Sequence, residues 1–203
     1  MKKILPVLII FVILSVFASF VPHFNFDLLV SEKIQSINSP IFTNLMWFVS
    51  TIGSLPVMVV IVGVTGLLLH VFKLRVEAVI GTLTAAGSSL SGSLIKIIVD
   101  RPRPNANLIH VFTPTSDKSY PSGHVLVFTV FFGFLLFILL KESKPNIGKI
   151  LLSVLFVLLI AAIGISRIYL GVHWASDVMG GYLLGILWLL STIGLYNSYH
   201  GKR

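Results

Sequence analysis

Pro121 to Leu140 reads PSGHVLVFTVFFGFLLFILL: a turn, one histidine, and then an uncharged apolar run to its end. A helix rises about 1.5 Å per residue, so a run of this length crosses the roughly 30 Å hydrocarbon core of a bilayer. Five further stretches share the pattern: Ile4 to Val21, Leu55 to Phe72, Val76 to Val99, Ile147 to Ile165 and Val172 to Tyr196. The sequence therefore predicts an all-α, polytopic bundle of six transmembrane helices, with residues 1–203 forming one integral-membrane domain. Phe20-Val21-Pro22-His23 offers no small-residue cleavage site, so the first run is read as a span and not as a removable leader.

Composition supports the same reading. Hydrophobic residues make up 56% of the chain and charged residues only 11%, whereas soluble domains carry about a quarter charged residues. With no cysteine there is no disulfide, no thiolate nucleophile and no Cys-ligated metal. The net charge of +8 resolves into an orientation signal. With the N-terminus cytoplasmic, nine of the 15 cations (Lys2, Lys3, Lys73, Arg75, Lys141, Lys144, Lys149, Lys202, Arg203) lie inside with only Glu77 and Glu142, net +7. Lys33, Lys96, Arg101, Arg103, Lys118 and Arg167 lie outside with five acids, net +1. Cytoplasmic loops carry the excess of Lys and Arg, so both termini are expected in the cytoplasm of a multi-pass cell-membrane protein. No nucleic-acid partner and no obligate protein partner is expected; the bilayer itself is the partner.

Residues 22–54 are expected to form an outer interfacial segment. Phe24, Phe26, Leu28, Leu29, Ile34 and Ile37 are interrupted by Asp27, Glu32, Lys33 and Gln35, which fits helices lying in the interface or a packed loop. Ile41 to Val49 is too short to cross and either stacks on the bundle or extends the second span. In the third span Gly81, Ala85, Ser89 and Ser93 recur every four residues, a spacing that lets membrane helices approach closely.

Ionisable residues at span ends are costly and so informative. Three clusters fall at the outer boundary: Lys96-Ile-Ile-Val-Asp-Arg-Pro-Arg103-Pro104, Pro121-Ser-Gly-His124, and Ser166-Arg167 followed by His173 and Asp177. Lys96 sits in a last helical turn, where the dipole favours a cation, and the prolines that follow force an extended path presenting Arg103 to the bundle. Pro121, Ser122 and Gly123 open a helix whose free N–H groups suit a phosphate, with His124 beside them able to exchange a proton. His173 and Asp177, four apart, share a helix face, so the carboxylate can orient the imidazole as a base or nucleophile. Alone, each cluster has a plain alternative: a basic stop signal, an ordinary loop-to-helix junction, a surface pair.

Together they supply three cations, a helix N-terminus, two histidines and an orienting carboxylate, the inventory that phosphoryl transfer requires. A two-metal site would want more carboxylates, and zinc on His124, His173 and Asp177 would be repelled by three neighbouring cations. No metal or other cofactor is expected. A transporter would carry polar groups through the bilayer midplane, yet Phe128 to Leu140 and Leu151 to Ala162 are almost wholly apolar.

Lys-x6-Arg-Pro (Lys96 to Arg103-Pro104), Pro-Ser-Gly-His (121 to 124) and Ser-Arg-x5-His-x3-Asp (Ser166, Arg167, His173, Asp177) resemble, in order and spacing, the three signature motifs of the type 2 phosphatidic acid phosphatase (PAP2) superfamily. The size and the N-terminal Lys-Lys are similar to its small bacterial members of the phosphatidylglycerophosphate phosphatase B type. The resemblance implies a PAP2/haloperoxidase-like helical core and a metal-independent lipid phosphatase working through a phosphohistidine. Phosphatidylglycerophosphate is the expected substrate and undecaprenyl pyrophosphate the alternative. It further implies that His173 attacks phosphorus, that Asp177 orients it, and that His124 protonates the leaving oxygen and then activates water. Lys96, Arg103, Arg167, Ser122 and the Gly123 backbone would hold the phosphate. Arg101 lies outside the pattern and is read as a surface cation or head-group contact.

Overall fold

The computed structural model describes residues 4–141 and 146–200, and among them the regular structure is helical throughout. In chain order the helices are α1 (Ile4–Phe20), α2 (Asn25–Gln35), α3 (Pro40–Ile52), α4 (Leu55–Val71), α5 (Arg75–Val99), α6 (Gly123–Lys141), α7 (Ile147–Tyr169) and α8 (Ala175–His200). Helices α5 to α8 are each long and apolar enough to cross a membrane. Helices α1 and α4 have 17 residues each and reach that length only together with the bent neighbours α2 (92°) and α3 (61°), giving up to six spans. Lys2, Lys3, Glu142, Lys144, Lys202 and Arg203, all used in the orientation count, lie outside the described residues.

Local chemistry sets the helix ends. Ser39 caps α3 by accepting from the Phe42 N–H with Pro40 at the first turn, and Asn146 caps α7 by accepting from the Lys149 N–H at 2.9 Å. α5 stops at Asp100, which takes a left-handed φ of 53° and donates its N–H to the Lys96 carbonyl. Asp is one of the few side chains that tolerates this conformation.

Helix α6 forms the centre, packed against α5, α7 and α8, with Val125, Leu126, Phe128, Val130, Phe131 and Phe134 buried. Lipid tails are as apolar as leucine, so close packing carries helix association here. The small residues of α5 serve it, but in a different register from the strict four-residue spacing. The buried row is Gly81, Ala85, Ser88 and Gly92, while Ser93 is exposed. A spacing of four drifts around a helix of 3.6 residues per turn, and the step of three returns the row to α6. Outward faces such as Ile9, Ile13 and Phe17 of α1 and Leu151, Leu155 and Leu158 of α7 are exposed and apolar, as a lipid-facing surface must be.

The segment 22–54 resolves into two helices. α2 packs on α7 and α8, its Asp27 buried and capping the Phe24 N–H at 3.0 Å. Ile41 to Val49 lies in α3, which bends 61° from α4 and packs along α7, where Phe42 meets the Tyr169 ring edge-on and Thr43 hydrogen-bonds its hydroxyl at 2.6 Å, while α3 and α4 together still reach the length of a span.

Candidate active site

All three sequence clusters meet at one end of the bundle. From the left-handed Asp100 the chain runs through Arg101-Pro102-Arg103-Pro104, whose prolines keep it out of a helix. Arg101 reaches Asp177, with Nη1 2.6 Å from Oδ1. Arg103 reaches His173, with Nη1 3.3 Å from Nε2, and also donates to the carbonyls of Val172 and Asp117.

His173 lies in the turn between α7 and α8, outside both spans, and Asp177 in the first turn of α8. The bend depends on Gly171, at φ +67°, where a side chain would run into the His110 carbonyl. His173 Nδ1 is 3.6 Å from Asp177 Oδ2, and Ser119 spans the gap: its Oγ is 3.4 Å from Nδ1 and donates to Oδ2. The Trp174 N–H also donates to Oδ2, at 2.9 Å. A guanidinium can only donate, so Nε2 facing Arg103 accepts, which assigns the ring proton to Nδ1, toward Ser119 and Asp177. Burial first, then the charges of Arg103, Lys96 and Arg167, hold His173 well below the usual histidine range. Its Nε2 lone pair is therefore free of a proton at neutral pH.

Arg103 faces that lone pair, and Lys96, Arg167 and His124 are close enough to act electrostatically on the ring. Lys96 Nζ donates to the Lys118 carbonyl and lies 3.4 Å from Asp117 Oδ2; Arg103 Nη2 lies 2.7 Å from Asp117 Oδ1. Burial pushes the Asp117 carboxyl up, but Arg103 and then Lys96 outweigh it and hold the group below the usual carboxylate range. Arg167 donates through Nη1 to Ser50 Oγ of α3, while its Nε, like the Ser122 Oγ, is buried with no partner among the described residues. Buried polar atoms are normally hydrogen-bonded, so each of these two is left able to meet a ligand oxygen. A Cβ at Gly123 would meet nothing within 4 Å, so the first turn of α6 is open to an approaching anion. The His124 ring lies over Gly53, where an added Cβ would come within 2.5 Å of it.

The structure thus brings Lys96, Arg103, Ser122, Gly123, His124, Arg167, His173 and Asp177 together. Arg101, expected from sequence as a surface cation or head-group contact, is instead fully buried and bridges Asp27 to Asp177. Its neighbour Asp27, together with Ser119, Ser176 and Asp117, joins the site without being among the residues expected there from sequence. An acid such as Asp27 in a largely apolar segment is a signal that a buried partner exists; nothing in the local sequence marks Ser119.

Residues 77–200 match the family described as the PAP2 superfamily. Phosphatidylglycerophosphatase B of Bacillus subtilis is 27% identical over 168 residues, covering 79% of this chain and 78% of that protein. The undecaprenyl-diphosphatase of Sulfolobus acidocaldarius is 28% identical over 184 residues, covering 88% and 84%. A crystal structure of the transmembrane PAP2-type phosphatidylglycerolphosphate phosphatase from Bacillus subtilis superposes with a TM-score of 0.84 at 23% identity, covering 98% of both chains.

Proposed function

The chain belongs to the PAP2 superfamily and is a multi-pass membrane lipid phosphatase, and from that premise we propose that it hydrolyses the terminal phosphate monoester of phosphatidylglycerophosphate at the outer face of the cell membrane. What supports the choice of lipid is the sequence likeness to the Bacillus phosphatidylglycerophosphatase B over 79% of this chain, which reaches beyond the three signature motifs.

In this reading the substrate phosphate enters between Lys96, Arg103 and Arg167 and accepts hydrogen bonds from Arg167 Nε, Ser122 Oγ and the first turn of α6. His173 Nε2 attacks phosphorus in line as the bond to the glycerol oxygen breaks, and His124 gives that oxygen its proton. Asp177 and Ser119 hold the Nδ1 proton and offset the positive charge that the ring gains. The phosphohistidine then yields to a water deprotonated by His124, releasing phosphate. No step calls on a metal. Purified protein in detergent should release phosphate from the lipid in the presence of EDTA, and His173→Ala should reduce release on the order of 10³-fold or more. A fully active His173→Ala enzyme overturns these roles.

The likeness to the archaeal undecaprenyl-diphosphatase along 88% of this chain supports a second substrate, an isoprenoid diphosphate. The cradle grips the phosphate and not the tail, so kcat/KM for the two lipids compared in one assay decides between them.

A further inference from the structure

We propose that Arg101, clamped by Asp27 of α2, is a positioning residue for the His173–Asp177 pair and acts through the Asp177 carboxylate. This rests on the roles given above to His173 and Asp177. Arg101 Nη1 donates to Asp177 Oδ1 at 2.6 Å, while Ser119 and the Trp174 N–H take the other oxygen, so the carboxylate is fixed from both ends with Oδ2 turned to His173. Arg101 is fixed in turn: Nη2 donates to Asp27 Oδ2 at 2.9 Å, Nε to the Val21 carbonyl at 3.3 Å, and the Phe24 ring lies against the guanidinium. Asp27 also accepts from the N–H and Oγ of Ser176, tying α2 to the first turn of α8.

The side chains of Asp27, Arg101 and Asp177 are all 0% exposed, so Arg101 has no path to the substrate phosphate and its effect must pass through Asp177. Stability alone does not call for this arrangement, because a buried ion triad is often no more stable than apolar residues of the same volume. What the triad does provide is a carboxylate whose rotation is fixed. Only arginine can meet two carboxylates at once with a rigid fork. Asp27 lies outside the residues 77–200 that match the family, so this support comes from the chain's own first helices.

The test uses the full-length protein in detergent, on whichever of the two lipids the wild type turns over. Arg101→Gln should lower kcat about 100-fold, the cost of a small misplacement of a reacting group, with KM within about twofold of wild type. Arg101→Lys, which keeps the charge but reaches one carboxylate, should recover part of that loss, and decides the matter if Arg101→Gln does not fold. Arg101→Gln combined with Asp177→Asn should be no slower than Asp177→Asn alone; a residue acting only on general stability would show losses that multiply. A variant within threefold of wild-type kcat, a loss confined to KM, or multiplying losses overturns the proposal. If His173→Ala or Asp177→Asn is itself fully active, it is the catalytic reading that has failed.

Discussion

The carboxylate of Asp117 lies 2.7 Å from Arg103 Nη2 and 3.4 Å from Lys96 Nζ, so one side chain occupies two of the cations proposed to hold the phosphate. Asp117 is 60% exposed on its loop, whereas Arg103 and Lys96 are largely covered, so it is the acid that can swing away.

Asp117→Asn should therefore make the enzyme bind anions more tightly. An exposed ion pair contributes up to about 1 kcal/mol, so inorganic phosphate should inhibit the variant about two- to fivefold more strongly than wild type. Unchanged or weaker inhibition would mean that Asp117 steadies the cations and does not compete for them.

The low proton affinity of His173 predicts a pH profile. A histidine whose protonated form is disfavoured keeps its lone pair as the pH falls, so the acid limb of kcat/KM should lie below the ordinary histidine value of about 6.5. Arg103 is the largest contributor after burial, and removing a cation eases protonation. Arg103→Gln should lower kcat/KM at every pH and also move the acid limb upward. A limb that stays put or moves down contradicts the electrostatic assignment; because both proteins see the same substrate, its own ionisation cancels.

Much of this architecture is legible in the residues themselves, for a physical reason. A span must be apolar along its full length, so the runs from Leu55, Val76, Pro121, Ile147 and Val172 announce α4 to α8 to within a few residues. Polar side chains cannot be spared at span ends, so Lys96, His124, Arg167 and His173 stand out. Partner choice within the polar layer is not legible. Arg101 and Arg103 are two apart, equally basic and each followed by a proline, yet one meets a carboxylate in the interior and the other the imidazole. That difference is set by where α2 places Asp27, a contact across 74 positions of sequence.

Close helix contact supports the cradle and gives a stability prediction. A Cβ at Gly181 of α8 would sit 2.8 Å from the Ser122 carbonyl and 3.0 Å from Val125 Cβ, neither of which can rotate away. Gly181→Ala should cost about 1–3 kcal/mol by overpacking. For a chain of this size that lowers the melting temperature by about 2–4 °C per kcal/mol. Activity should fall as well, because the displaced backbone carries Ser122 and Gly123. A variant that melts with the wild type and retains its kcat would show that α6 and α8 are not held this closely.

The absence of cysteine makes the proposed orientation directly measurable, since a single introduced thiol has no competitor in the chain. Ser116, in the loop that carries Asp117, and Phe72, at the opposite end of α4 and α5, are both exposed. If the site faces outward, a membrane-impermeant maleimide should label Ser116→Cys in intact cells and label Phe72→Cys only after permeabilisation. The net +7 assigned to the cytoplasmic side drives this expectation, because positive loops are retained inside. The reverse labelling would put the phosphate cradle in the cytoplasm, where Lys96, Arg103 and Arg167 would no longer run against the charge rule, and the enzyme would then act on lipids of the inner leaflet.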